Sequence, residues 1–181
     1  MSGQNPTDNM IKRVDYLKST VTIFILLCIT LSANSCKSGK IANNQQYYSV
    51  SKVVDGDTFW IDDGSPKGAK IRLIGVDAPE SRRTGRKEIG FYGKEAKKFL
   101  ESFLLSKRVR LEYDVNMYDQ YMRILAYAYL EDGTFLNAYL VENGYAMVLT
   151  VPPNVKHAQL FLKLQQNARI RNKGLWGKTN H

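Results

Sequence analysis

Two strand-like runs joined by a short acidic turn constrain this fold more than any other feature. Tyr48-Ser-Val-Ser-Lys-Val-Val54 and Thr58-Phe-Trp-Ile61 are rich in β-branched and aromatic residues, and Asp55-Gly56-Asp57 between them is a hairpin signal. Asp62-Asp-Gly-Ser-Pro66 is a second turn and leads into a third run, Ala69 to Val76. Arg108 to Tyr113 and Ile124 to Leu130 read as two more strands. Helical period appears where Tyr92, Ala96, Phe99, Leu100 and Phe103 share one face. A short helix from Phe135 to Glu142 is closed by Asn143-Gly144. A last helix, from about Val155 to Arg171, places Leu160, Leu164 and Ala168 on one side. Five strands interrupted by helices predict an α+β domain built on a partly closed β-barrel.

A chain of 181 residues holds one ordinary domain plus a tail, and a hydrophobic share of 44% excludes wholesale disorder. The net charge of +9 favours a polyanionic partner, nucleic acid or an anionic membrane surface. At the N-terminus Lys12, Arg13 and Lys18 precede the apolar run Val21 to Leu31, followed by small residues up to Ser35. That run is short for a bilayer span, which takes about 20 residues, and suits a secretory signal. It ends at Cys36 in an arrangement that resembles a bacterial lipoprotein signal, with Met10 as an alternative start. Of the two cysteines, Cys28 lies inside the apolar run, so cleavage would leave Cys36 alone, and lipidation explains it. A cleaved non-lipid signal and an uncleaved anchor are the bland alternatives. The expected layout is a signal over 1–35, a tether over 36–46, the domain over 47–177 and a tail over 178–181. The expected location is the extracytoplasmic side of a bacterial envelope, held to the membrane through Cys36.

Asp55 and Asp57 stand one residue apart and read either as plain turn chemistry or as oxygen ligands for a hard cation such as Ca²⁺. Outside the signal the histidines are His157 and His181, and no His/Cys cluster points to zinc or iron. Arg72 alternates with Ile71 and Leu73, while Asp77 and Glu80 flank Ala78-Pro79. Strict alternation puts Arg72 and Asp77 on opposite faces, so their convergence requires a bend, and Gly75 is the natural place for it. Arg123 follows the polar and aromatic stretch Tyr118-Asp-Gln-Tyr-Met122. Two arginines and Tyr121 near one phosphate would form a clamp; apart they are ordinary surface residues.

These segments together resemble the staphylococcal nuclease (thermonuclease) family over about residues 48–177. The resemblance rests on Val54-Asp-Gly-Asp-Thr58, Ile71-Arg-Leu-Ile-Gly-Val-Asp-Ala-Pro-Glu80, Tyr92-Gly-Lys-Glu-Ala96, Asp119-Gln-Tyr-Met-Arg-Ile-Leu-Ala126, Pro152-Pro-Asn154 and Gly174-Leu-Trp176. It implies an OB-fold five-stranded barrel with three helices that hydrolyses phosphodiester bonds in DNA or RNA with Ca²⁺, as a monomer. It further implies Asp57, Asp77 and the Ala78 carbonyl as metal ligands, with Asp55 just outside them. Glu80 matches the general base, Arg72 and Arg123 the phosphate-binding arginines, and Tyr121 a contact to the neighbouring phosphate. Two departures stand out: Leu149 and Val151 replace tyrosines that stack on a base, and Gln120 replaces a frequent lysine. The competing reading is a catalytically silent OB-fold module that binds nucleic acid. A surface lipoprotein binding anionic polymer is a third, which leaves the acidic residues unexplained.

Overall fold

The computed structural model describes residues 45–83 and 88–177. The expected signal segment and Cys36 lie outside the described residues. The elements are β1 (Tyr48–Asp55), β2 (Thr58–Ile61), β3 (Ala69–Leu73), β4 (Val76–Asp77), α1 (Gly93–Leu104), β5 (Arg108–Glu112), β6 (Ile124–Leu130), α2 (Leu136–Glu142), β7 (Met147–Val148) and α3 (Ala158–Ile170), with a 3₁₀ turn at Gly174–Trp176. Five strands close a barrel in the order β1-β2-β3-β6-β5. The closure is complete, where the sequence pattern suggested a partial one.

Closure depends on β1 pairing on both sides. Its register against β2 slips between Val50 and Lys52 and again between Val53 and Asp55. Such irregularities bend a strand, and β1 also reaches β5 through Tyr48–Val109 and Ser49–Arg108. Inward-facing Phe59, Ile61, Ile71, Leu73, Val109, Ala126, Ala128 and Leu130 fill the interior. Each side chain of this size contributes about 1.5–3 kcal/mol on full burial, alanine less. The one parallel pairing in the barrel, β3 with β6, sets Arg72 opposite Leu125. It lays two segments that are distant in sequence side by side.

Helix α1 covers the barrel through Ala96, Leu100 and Leu104, all buried. In α2 the fully buried Asn137 donates to the Ile74 carbonyl (2.8 Å) and accepts from Ala128 N–H (2.9 Å). It thereby satisfies backbone groups that the turn after β3 leaves without strand partners. The third expected strand, Ala69 to Val76, is in fact two strands, broken at Ile74-Gly75. Gly75 adopts φ +78°, and a Cβ there would lie 2.5 Å from Phe161 Cε2. A glycine is thus required both by the backbone conformation and by the ring packed against it.

The last helix starts at Ala158, later than the sequence suggested, because Ala158 N–H bonds Val155 O and residues 155–157 form a turn. Its buried face holds Phe161 and Ala168, with Leu164 packed beside them, while Leu160 is exposed. Strand β7 was not expected from sequence; it pairs with β4 through Val76–Val148 and Asp77–Met147 and carries the chain into the 149–154 loop.

Candidate active site

The β1–β2 turn is held by close packing. A Cβ on Gly56 would lie 2.7 Å from the Ala78 Cβ and 3.0 Å from the Ala96 Cβ, so the turn, the 78–80 loop and α1 meet only because residue 56 is glycine. Asp57, at the end of this turn, is buried. Its carboxylate accepts from Thr58 Oγ1 (2.8 Å) and from the Ala78 N–H (2.7 Å), and lies 3.2 Å from Arg72. Burial pushes its pKa above the ordinary carboxylate value, against the pull of Arg72 and of the Ala78 and Thr58 hydrogen bonds. Asp55 faces elsewhere and accepts from Ser81 Oγ.

Arg72 is held from four directions. One terminal nitrogen donates to Leu73 O (2.9 Å) and Val76 O (2.6 Å), and the other to Asp77 Oδ1 (2.8 Å), next to Asp57. The bend at Gly75 makes this possible, since it turns Val76 and Asp77 back toward the strand that carries Arg72. Asp77 itself is half exposed, with 46% of its side chain open to solvent, against 8% for Asp57. Glu80 is half-buried on the same loop. Its carbonyl accepts from Gly90 N–H (2.9 Å), and a Cβ on Gly93 would lie 2.1 Å from that oxygen, so the start of α1 fixes the backbone of Glu80.

Arg123 immediately precedes β6, the strand that pairs with the one carrying Arg72. A cleft of about 190 Å³ is lined by Arg72, Asp119, Arg123, Leu149, Val151 and the 152–154 turn, among others. Both arginines therefore border one space. Tyr121 is 71% exposed, and its ring centroid is 5.5 Å from the Arg123 guanidinium carbon. Sequence reading missed Thr58, Ser81 and Asp119 as partners of the site residues. Thr58 follows Asp57 directly and Asp119 has turn-forming spacing to Tyr121, but neither signal stands out in a chain rich in such residues. The apolar wall at Leu149 and Val151 lies on the cleft, where an aromatic ring would have offered a flat face to a base.

The structure thus brings together Asp57, Arg72, Asp77 and Ala78 by direct contact, with Arg123 across the same cleft. Among the described residues no group of three or more His, Cys, Asp or Glu side chains is placed to hold a metal. The donors that Asp57, Asp77 and the nearby backbone offer are all oxygen, a set whose chemistry fits a hard cation of loose geometry.

A family model described as staphylococcal nuclease homologue matches residues 70–178. A thermonuclease of Staphylococcus hyicus is 38% identical over 160 residues, covering 86% of this chain and 92% of that protein. A thermonuclease of Staphylococcus intermedius is 41% identical over 130 residues, covering 71% and 75%. An uncharacterized endonuclease of Haemophilus influenzae is 30% identical over 172 residues, covering 94% and 83%.

Proposed function

The chain belongs to the staphylococcal nuclease family, and from that premise we propose that it is a calcium-dependent nuclease cutting DNA or RNA with Glu80, Arg72 and Arg123. At the coarser level it is a hydrolase of the nuclease type. The observation that carries the finer reading is the placement of Arg72, within reach of both Asp57 and Asp77 and on a cleft shared with Arg123. A silent binding module has no need of a carboxylate pair beside a phosphate-grade cation.

In this reading Asp57, Asp77 and the Ala78 carbonyl hold Ca²⁺. When bound, the ion polarises a phosphoryl oxygen and makes nearby water more acidic. Glu80 takes the proton from the attacking water. Arg72 and Arg123 bind the non-bridging oxygens and stabilise the charge that grows on them, a task for which a planar guanidinium fork suits better than a lysine. The carbonyl contacts of Arg72 fix its plane in advance, while its other terminal nitrogen, which faces Asp77 and Asp57, exchanges a carboxylate for the phosphate when substrate binds. Tyr121 meets the next phosphate along the strand. Export and attachment through Cys36 belong to the same proposal; Cys36→Ser should release the protein from membranes.

The test is incubation of the full chain, in mild detergent, with single-stranded DNA, duplex DNA and RNA, in Ca²⁺ or in chelator. Cleavage with Ca²⁺ and none with chelator is expected. A gel shift without cleavage in both conditions would instead favour the binding module.

A further inference from the structure

We propose that Asp119 is a positioning residue that sets how Arg123 meets phosphate, presenting the guanidinium by its two terminal nitrogens and withholding its Nε edge. The proposal rests on the nuclease reading above for its consequence, though its geometric content stands without it. One carboxylate does three things in this loop. Oδ1 accepts from Tyr121 N–H (2.8 Å) and Arg123 N–H (3.0 Å), while Oδ2 accepts from Arg123 Nε–H (2.6 Å). The backbone closes the same ring through Asp119 N–H to Arg123 O (3.1 Å) and Met122 N–H to Asp119 O (3.0 Å).

This is not a helical ion pair that happens to have i,i+4 spacing, since residues 119–123 form a turn. Met122 within it holds φ +58°, a left-handed conformation unfavourable for a long side chain. The turn keeps that conformation because Asp119 ties it from both ends. The ion pair is also shielded, with 26% of the Arg123 and 16% of the Asp119 side chain exposed, unlike the open Arg83–Glu88 pair at 70% each.

Guanidinium offers oxyanions two kinds of fork: side-on, through Nε and one terminal nitrogen, or end-on, through both terminal nitrogens. Asp119 occupies Nε and so leaves the end-on fork for the cleft that both residues line. The same carboxylate holds the backbone of Tyr121, whose ring lies beside that guanidinium. Both proposed phosphate contacts of this loop are therefore oriented by one side chain that itself meets no substrate.

Asp119→Asn separates orientation from loop folding. The amide oxygen can still accept the two backbone N–H groups, while its NH₂ faces Arg123 Nε–H, donor against donor. The expected result is a kcat lower by about 10- to 100-fold, KM within about threefold, and a nearly unchanged melting temperature, because orientation is needed most in the transition state. In that background Arg123→Lys should cost much less than it does alone. Unchanged kcat, or fully additive effects of the two substitutions, would overturn the proposal. If Asp119→Asn fails to fold, ¹⁵N NMR of the Arg123 side chain in the wild-type chain decides. On titration with inorganic phosphate the terminal nitrogens should shift and the Nε–H should not; an Nε–H shift as large as theirs sinks the idea. A wild-type chain without nuclease activity would refute the functional reading and still leave this NMR result to judge the positioning claim.

Discussion

The two halves of the site each use an aspartate to hold an arginine, yet the two aspartates titrate in opposite directions. At Asp57 burial outweighs the arginine and the hydrogen bonds, and the pKa rises. At Asp119 burial also pushes upward, but the backbone and side-chain hydrogen bonds from Arg123 and the Tyr121 N–H together outweigh it, and the pKa falls. The barrel carboxyl is therefore held mainly by packing, at the expense of its ionised form, while the loop carboxylate is satisfied by its own hydrogen bonds. A carboxylate of the second kind builds a rigid mount.

The strongest way to break this comparison is to remove the guanidinium of the barrel half. Arg72→Lys should lower turnover by roughly 100-fold or more, and Glu80→Gln by a similar factor. Arg72→Lys should also lower the melting temperature, since Leu73 O and Val76 O lose their donor. Arg123→Lys, which loses a single ion pair, should lower it less; a larger drop than for Arg72→Lys would contradict the count of contacts that each guanidinium makes.

Next in size is Gly75→Ala, which meets both a positive φ and the Phe161 ring. A loss of about 1–3 kcal/mol is expected on denaturant titration, with activity falling as the bend opens. Trimming the ring in a Gly75→Ala, Phe161→Leu double variant should not simply add a second loss; full additivity would show that the two positions do not press on each other.

Asp57→Asn distinguishes the halves by sign. A raised carboxylate pKa means that the associated stability is present below the unfolded value of 3.8 and lost as pH rises through the folded value. Above that unfolded value the buried carboxyl is thus a cost, and its neutral isostere should raise the melting temperature by about 3 °C for each 1 kcal/mol gained, while Ca²⁺ binding is lost. For Asp119 the sign is reversed: its contribution is present above 3.8 and is lost only as pH falls through a lower folded value. During acidification Ca²⁺ binding measured by calorimetry should therefore fade before the Arg123 Nε–H signal does. The reverse order would invalidate the contrast.

The smallest effect belongs to the cleft wall. Leu149→Tyr should strengthen binding of a single-stranded oligonucleotide by about fivefold, the lower end of one base-stacking interaction, with kcat unchanged. No gain would mean that bases do not lie along this wall.

Much of the fold was legible because strands and helices announce themselves by period. The Asp55-Gly-Asp57 turn and the Ile124 to Leu130 strand fall where their residue types put them. Arg72 and Asp77 were harder, since alternation separates them and only the packing of Phe161 on Gly75 shows how far the chain turns. The last helix packs Leu164 and Ala168 on the expected face, but Phe161 and not Leu160 completes it, because the larger ring packs against Gly75. Asp119 was hidden for another reason: two of its three partners are backbone N–H groups, which every residue but proline carries.

The contact between Gly75 and Phe161 also couples two distant parts of the chain. Phe161 belongs to the last helix, so the bend that gathers Arg72 and Asp77 is buttressed from far along the sequence. The bend near the start of the domain is thus completed by a ring near its end, which ties the geometry of the cleft to the docking of the last helix.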